Sequence, residues 1–268
     1  MTDWLQKLQA QADQSPALAR VPFCIENMKI GSVEPVFMHH LALHANEYMS
    51  EQLLKEEHSG WQLQLGQHDA TPRLNQLADL MKDAGLAGAW RDEQLAVHDA
   101  SGLKIGTIER GAVRPLGIAT LAVHLVGQSP DGRFWVQQRA FDKPTDPGKW
   151  DTLMGGMVSA GDTVETALER ETWEEAGLNV AHLQSLRYGG RQSNCRPSSD
   201  GAAAYMNEYI EWYAATVPDG LMPINQDGEV AQFALMDEAQ LLVAMQRGEF
   251  TLEAALIFAS VLKLIDQR

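Results

Sequence analysis

The sequence predicts an α/β fold in two parts, an α/β/α sandwich over residues 117–268 preceded by a smaller α+β domain over residues 1–116. Three observations support this prediction. Segments of strand type and helix type follow one another along the whole chain. The pattern changes at Arg114-Pro115-Leu116-Gly117, where Pro and Gly mark a boundary. Beyond that boundary, helical segments flank apolar strands, as a sheet covered on both faces requires.

Composition limits the class of protein. The chain has 268 residues, of which 45% are hydrophobic, and a net charge of −15, which argues against duplex nucleic acid or an anionic membrane as partner. Two cysteines, Cys24 and Cys195, indicate a reducing compartment. Residues 1–14 lack the apolar stretch of a signal peptide, and residues 252–265 are too few to span a bilayer. We therefore expect a soluble, cytoplasmic protein.

Periodicity predicts the elements of the N-terminal domain. A first helix is expected over residues 3–14. Two strands around a turn at Gly31-Ser32 lead into a helix near 36–44. The remaining elements are a strand at 61–66, a helix at 74–86, a strand at 94–99 and a closing segment at 103–117.

The C-terminal part begins with two alternating strands joined by a turn at residues 129–132. A loop, a third strand and an acidic helix at 163–176 follow. The Gly-rich polar segment 189–201 is expected to be a long loop that contacts substrate. The remaining predicted elements are strands at 183–191, 206–217 and 232–237 and helices at 237–247 and 251–266.

The acidic helix carries the chemistry. At about 100° per residue, Glu171, Glu174 and Glu175 fall on one face, where their charges repel unless a cation lies between them. Such a triplet can also be a plain solvated face. Here its flanks favour function: Asp162 or Thr163 can cap the helix, Asp162 with Glu165 resembles a capping box, and Gly177 suits a left-handed stop. A divalent cation on a phosphate-bearing substrate suits these oxygens.

Residues 156–178 resemble the Nudix box, Gly-x5-Glu-x7-Arg-Glu-apolar-x-Glu-Glu-x-Gly-apolar. The matching residues are Gly156, Arg170, Glu171, Glu174, Glu175, Gly177 and Leu178. Two positions depart from the pattern. Asp162 stands where the family has Glu, so we expect its ion pair with Arg170 to be rearranged, and Thr172 stands where the family has an aliphatic residue.

The resemblance implies a Nudix fold over residues 117–268 and metal-dependent cleavage of a diphosphate by an activated water. Mg²⁺ or Mn²⁺ would be held by Glu171, Glu174, Glu175 and the main-chain carbonyl of Gly155. Glu171 or Glu229 would orient or deprotonate the water, and Arg170 would hold the glutamates in place.

Five residues are candidates for substrate binding. Arg139 and Lys143 follow a predicted strand, and paired cations near an acidic helix can hold phosphate oxygens. Trp150 could stack on a substrate ring, although a buried Trp in a strand is commoner. Arg191 and Gln192 lie in the predicted loop at 189–201.

Other segments, above all residues 138–151, 206–213 and 223–233, resemble a subgroup of Nudix proteins found as plant chloroplast and fungal enzymes, some fused to thiamine pyrophosphokinase. That resemblance implies a small-molecule diphosphate as substrate: thiamine diphosphate, or its oxidised and analogue forms, cleaved to the monophosphate. ADP-ribose-type substrates and a ligand-binding module without catalysis are the alternatives. An isopentenyl diphosphate isomerase is disfavoured, because Gly155 and Met157 replace the Cys and His it needs. The N-terminal domain could complete the pocket, form a homodimer surface or stabilise the catalytic half.

Overall fold

A mixed seven-stranded sheet forms the centre of the C-terminal half. The computed structural model describes residues 3–49 and 51–265. The strands of this sheet are β7 (Thr120–Gln128), β8 (Phe134–Arg139), β9 (Trp150–Asp151), β10 (Met154–Met157), β11 (Gln184–Pro197), β12 (Tyr205–Thr216) and β13 (Val230–Met236); the helices around it are α5 (Val164–Ala176), α6 (Glu238–Gln246) and α7 (Leu252–Val261). The strands run in the order β11-β12-β7-β8-β13, with β10 paired to β7 and β9 to β8. Helix α5 covers one face of this sheet, and helices α6 and α7 cover the other, so the predicted α/β/α sandwich is confirmed.

The N-terminal half is α+β, as predicted. A four-stranded sheet of order β2-β1-β4-β3 and a separate β5-β6 hairpin share one apolar core with two long helices. The elements are β1 (Val21–Ile25), β2 (Met28–Val33), α2 (Pro35–Tyr48), β3 (Leu54–Glu57), β4 (Gly60–Leu63), α3 (Ala70–Asp83), β5 (Gln94–His98), β6 (Lys104–Glu109) and the one-turn helix α4 (Arg110–Val113). In the described residues, every helix is too short or too polar to cross a bilayer.

The first helix, α1 (Asp3–Ala12), lies on the C-terminal half. Its Leu5 and Ala12 share a buried cluster with Leu252 and Leu256 of α7. A division of the chain at residues 114–117 therefore stays a proposal, because the first residues of the chain pack against the last helix.

The predicted turn at Gly31-Ser32 is wrong. The chain turns at Glu26-Asn27, where Glu26 has a φ of 54°, and Gly31 lies inside β2. A Cβ at Gly31 would lie 2.4 Å from the carbonyl oxygen of Leu116. This glycine therefore serves close packing of β2 against the segment that joins the two halves.

The predicted loop at 189–201 is also wrong for most of its length, because β11 continues to Pro197. Its backbone pairs with β12, and its polar side chains bond α7 instead of water: Gln192 donates to Ser260 Oγ at 2.8 Å, and Asn194 donates to Glu253 at 2.7 Å. A polar sequence therefore forms a partly buried strand here.

A prediction about stability follows from Thr172. This residue of α5 is fully buried, and its hydroxyl has no hydrogen-bond partner among the described residues. Thr172→Val removes the unpaired hydroxyl while keeping the shape, so we expect the free energy of unfolding to rise by about 1 kcal/mol. Urea unfolding followed by circular dichroism measures it. The matched control is Thr163→Val, which removes a helix cap and should lower stability by about 1 kcal/mol. A destabilised Thr172→Val protein would contradict the interpretation of Thr172.

Candidate active site

Helix α5 begins and ends through local signals. The Thr163 hydroxyl accepts a hydrogen bond from the backbone N–H of Thr166, and the Thr166 hydroxyl accepts one from the N–H of Thr163. The predicted box of Asp162 and Glu165 is therefore wrong, because a threonine pair does the capping. Gly177 ends the helix with a φ of 62°, as predicted.

Arg170 is the centre of a charged cluster on this helix. Its Nη1 donates to Glu171 and to Glu174, both at 2.9 Å, while its Nη2 reaches Asp162 at 2.8 Å and the carbonyl oxygen of Met157 at 3.2 Å. Burial alone would lower the pKa of Arg170, but the Asp162 hydrogen bond and the carboxylates around it raise the pKa above its usual value. The guanidinium therefore stays charged and neutralises part of the acidic face.

The carboxyl of Glu171 lies directly against the backbone of Gly156 in β10. A Cβ at position 156 would lie 2.1 Å from the Glu171 carboxyl carbon and 2.3 and 2.4 Å from its oxygens. Any side chain larger than that of glycine would displace the carboxylate. Position 156 therefore requires glycine because of a close approach.

Glu175 lies deeper than the other two glutamates and is 2% exposed. It accepts hydrogen bonds from the backbone N–H of Gly155 at 2.9 Å and from Gln137 Nε2 at 2.8 Å. Burial raises the pKa of Glu175 to about 8, and burial likewise raises the pKa of Glu171 to about 7. The hydrogen bond to Glu175 shows that Gly155 directs its N–H away from β7. Because the N–H and C=O of one strand residue point to the same side, its carbonyl also faces away from β7.

The donor set suits a hard divalent cation. Three carboxylates and the Gly155 carbonyl supply the oxygen ligands that Mg²⁺ and Mn²⁺ prefer, and two of the carboxylates are desolvated acids that a cation would stabilise in ionised form. Among the described residues, no group of three or more His, Cys, Asp or Glu side chains is arranged to hold a metal ion. The reason is local: Glu171 and Glu174 turn towards Arg170, whereas Glu175 turns towards Gly155 and Gln137.

The facing wall carries Arg139, Lys143 and Glu229, three of the residues named from the sequence. They line one cleft with the α5 carboxylates, about 810 Å³ in volume. Lys143 donates to Glu229, and Arg139 Nη2 donates to the carbonyl oxygen of Thr145 at 3.1 Å. Burial would raise the pKa of Glu229, but the hydrogen bond from Lys143 and the charges of Lys143 and Arg139 outweigh it and lower the pKa. Cations and carboxylates therefore line the same cleft.

The structure does not bring Trp150, Arg191 and Gln192 to this cleft. Trp150 packs against the core between the sheet and α7. Arg191 pairs with Glu211 and stacks over Tyr209, with its guanidinium carbon 5.4 Å from the ring centre. Gln192 bonds α7. The prediction that Arg191 and Gln192 bind substrate depends on a loop at 189–201, whereas pairing with β12 directs both side chains elsewhere.

The N-terminal half supplies cleft residues that the sequence did not indicate. Glu93, Arg110 and Arg114 line the same cleft. Arg110 pairs with Glu93 at 2.8 Å, and Glu93 also accepts a hydrogen bond from Ser159 at 2.6 Å. No local signal could have found them, because only the packing of the two halves brings them to the site.

His124 and Glu208 were also missed, although a signal existed for both. Each is a buried polar residue in a strand whose other buried residues are mostly apolar, and both line the cleft. His124 is 6% exposed and Glu208 is 7% exposed. A buried polar residue in an apolar strand is the unusual observation that points to function.

Comparison with known proteins agrees with this site. The sequence profile of the NUDIX domain matches residues 118–256, more than half of the chain. The chain therefore belongs to the Nudix family. "Nudix hydrolase 20, chloroplastic" of Arabidopsis thaliana is 26% identical over 248 residues, which cover 86% of this chain. The chain spans 63% of the length of that relative.

The fold has solved counterparts. DR0079 from Deinococcus radiodurans is 23% identical, with a TM-score of 0.50, and the match covers 63% of this chain and 99% of that protein. This likeness confirms the predicted Nudix fold.

Isomerases of the same family are also similar. The isopentenyl-diphosphate Delta-isomerase of Leifsonia xyli is 30% identical over 154 residues, covering 56% of this chain and 80% of that enzyme. In this chain Gly155 and Met157 occupy β10 beside the cleft, and among the described residues no cysteine lines it. The cleft therefore lacks the thiol that such an isomerase would require.

A prediction about Gly156 follows. Gly156→Ala places a methyl group where the Glu171 carboxylate lies, so we expect a fall of about 100-fold in kcat/KM for diphosphate hydrolysis without loss of the fold. The matched control is Gly161→Ala, because a Cβ there meets no atom within 4 Å. Equal activity of the two variants would contradict the role given to the close approach.

Proposed function

We propose that this chain cleaves the diphosphate of a small organic ester in a metal-dependent hydrolysis, with thiamine diphosphate or its oxidised and analogue forms as substrate. The products are the monophosphate ester and inorganic phosphate. One observation carries the reaction type: the carboxylates of α5 and the cations Arg139 and Lys143 line one cleft. A diphosphate is the ligand class that needs both, since cations hold its oxygens and carboxylates hold a bridging metal ion.

Each residue has a role in that reaction. Glu171, Glu174, Glu175 and the Gly155 carbonyl would hold Mg²⁺ or Mn²⁺. A bound ion of this kind neutralises charge on the diphosphate and lowers the pKa of water. Arg139 and Lys143 bind phosphate oxygens, and Arg110 adds a third cation from the N-terminal half. Glu171 or Glu229 accepts the proton of the attacking water.

The choice of substrate rests on resemblance. The segments 138–151, 206–213 and 223–233 that resemble the thiamine-associated subgroup border the cleft through Arg139, Glu208 and Glu229. We also propose a reducing, cytoplasmic environment, in line with the free thiols of Cys24 and Cys195. A homodimer is a further proposal.

A substrate panel tests this function. With Mg²⁺, we expect kcat/KM for thiamine diphosphate or its oxo derivative to exceed that for ADP-ribose and nucleoside triphosphates, measured as released phosphate or monophosphate. Glu175→Gln should reduce the rate of hydrolysis at least about 100-fold, because it removes a buried carboxylate whose negative charge would balance that of the metal ion. Hydrolysis of ADP-ribose alone would overturn the thiamine assignment, and conversion of isopentenyl diphosphate without phosphate release would overturn hydrolysis itself.

The buried carboxylates also predict a pH-dependent response to metal. A pKa of about 8 for folded Glu175, above its ordinary 4.5, means that the protonated form stabilises the metal-free fold. That stabilisation is fully present below about pH 4.5 and is lost as the pH rises through about 8. Since a metal ion binds the ionised form, we expect Mg²⁺ to raise the Tm more at about pH 9 than at about pH 6.

Differential scanning fluorimetry with and without chelator measures this effect. Glu175→Gln provides the control, because an amide does not titrate and the difference between the two pH values should shrink. A Tm shift that is the same at both pH values in the unsubstituted protein would refute the expectation.

A further inference from the structure

The end of the cleft that lies away from α5 contains a buried carboxyl that the proposed chemistry does not use. Glu208 is 7% exposed and lines the cleft. Its Oε1 accepts a hydrogen bond from Thr120 at 3.1 Å, and within the described residues its Oε2 has no hydrogen-bond partner. That second oxygen is not fully buried, so it is accessible from the cleft.

His124 presents a second such atom, but at the Gly155 end of the cleft, where a Cβ at Gly155 would lie 2.8 Å from its Nε2. Its Nδ1 lies 2.9 Å from the Thr152 hydroxyl, which itself donates to the carbonyl oxygen of Met154 at 2.7 Å. The hydroxyl has a single proton, so Nδ1 must be the donor to Thr152. In the neutral ring Nε2 is then an acceptor, and in the described part of the chain no residue bonds it.

Nearby cations are already neutralised. Arg196 pairs with Glu253 at 3.0 Å, and Arg114 pairs with Asp200 at 3.3 Å. Glu208 has no ion-pair partner among the described residues, and burial raises its pKa. The Glu208 end of the cleft is therefore a poor site for an anion and a good one for a group that donates hydrogen bonds.

The sheet register sets the distance between the two ends. Gly155 pairs with His124 on β7, and Glu208 pairs with Thr120, four residues away on the same strand. At about 3.3 Å per residue this is roughly 13 Å, room for a diphosphate, a linker and a ring in line. Ala122 lies between the ends, and Met206 lies just beyond Glu208 on β12; both line the cleft and are 3% and 6% exposed.

We infer that Glu208 is the specificity site for an amino-substituted nitrogen heterocycle on the substrate. The ring lies on Ala122 and Met206, and the Glu208 carboxyl pairs with the amino group and the adjacent ring nitrogen. A carboxyl can accept from the first and donate to the second, so two hydrogen bonds form on one edge. This inference rests on the proposed diphosphate hydrolysis and adds the recognition of the organic part. Aminopyrimidine and adenine rings share this chemistry.

The test separates recognition of the ring from cleavage of the diphosphate. Glu208→Ala and the closer mimic Glu208→Gln are compared with the unsubstituted protein on thiamine diphosphate, on ADP-ribose and on isopentenyl diphosphate, which has no ring. We expect Glu208→Ala to raise KM at least about tenfold for the heterocyclic substrate that the protein cleaves, because two hydrogen bonds to one edge of the ring are lost. The kcat should change far less, and phosphate release from the ring-free diphosphate should keep its KM.

Two further measurements sharpen the result. An analogue of thiamine diphosphate with a carbonyl in place of the amino group should bind the unsubstituted protein less tightly than thiamine diphosphate does. In Glu208→Ala, we expect the two compounds to bind equally well. The matched control is Glu211→Gln, equally buried on the same strand but paired with Arg191 away from the cleft, and it should leave KM unchanged.

Each outcome has one meaning. If the protein cleaves ADP-ribose but not thiamine diphosphate, the thiamine assignment fails, and the KM of Glu208→Ala for ADP-ribose decides the inference. The inference is overturned if Glu208→Ala leaves the KM for the cleaved heterocyclic substrate unchanged. It is also overturned if Glu208→Ala raises the KM for the ring-free diphosphate equally. Cleavage of ring-free diphosphates alone by the unsubstituted protein overturns it as well.

Discussion

The ion cluster around Arg170 is the interaction on which the site depends. Carboxylates on one helical face repel each other, and a single guanidinium offsets that repulsion by bonding Glu171 and Glu174 at once. The same side chain bonds Asp162 and the carbonyl of Met157, and so ties the segment before the helix to the helix itself. A planar fork of donors can do this, whereas the point charge of a lysine cannot.

The two departures from the family pattern have different physical outcomes. Asp162 is one methylene shorter than Glu, yet it reaches both Nε and Nη2 of Arg170, at 3.0 and 2.8 Å. It can do so because Thr163 takes over the capping of the helix. Thr172 instead leaves a hydroxyl unpaired in the core. The first change is accommodated locally, and the second carries a stability cost.

Sequence reasoning succeeded where the determinants are local. The acidic helix, its glycine stop and the cations Arg139 and Lys143 follow from spacing over a few residues. It was wrong for residues 189–197, because glycine and polar residues are typical of a loop, whereas here pairing with β12 and bonds to α7 stabilise a strand. Glu93 and Arg110 reach the cleft through the packing of two halves, which no local pattern encodes.

That packing also gives the N-terminal half a physical role in the site. Residues 158–162 lead from β10 to the acidic helix, and the β5-β6 hairpin fixes them: Ser159 donates to Glu93 at 2.6 Å, and Ala160 N–H donates to the carbonyl oxygen of Gln94 at 2.7 Å. This segment ends in Asp162, which bonds Arg170. A continuous chain of contacts therefore connects the hairpin to the glutamates. The N-terminal half lines part of the cleft and holds the segment before α5, so residues of both halves form the cleft.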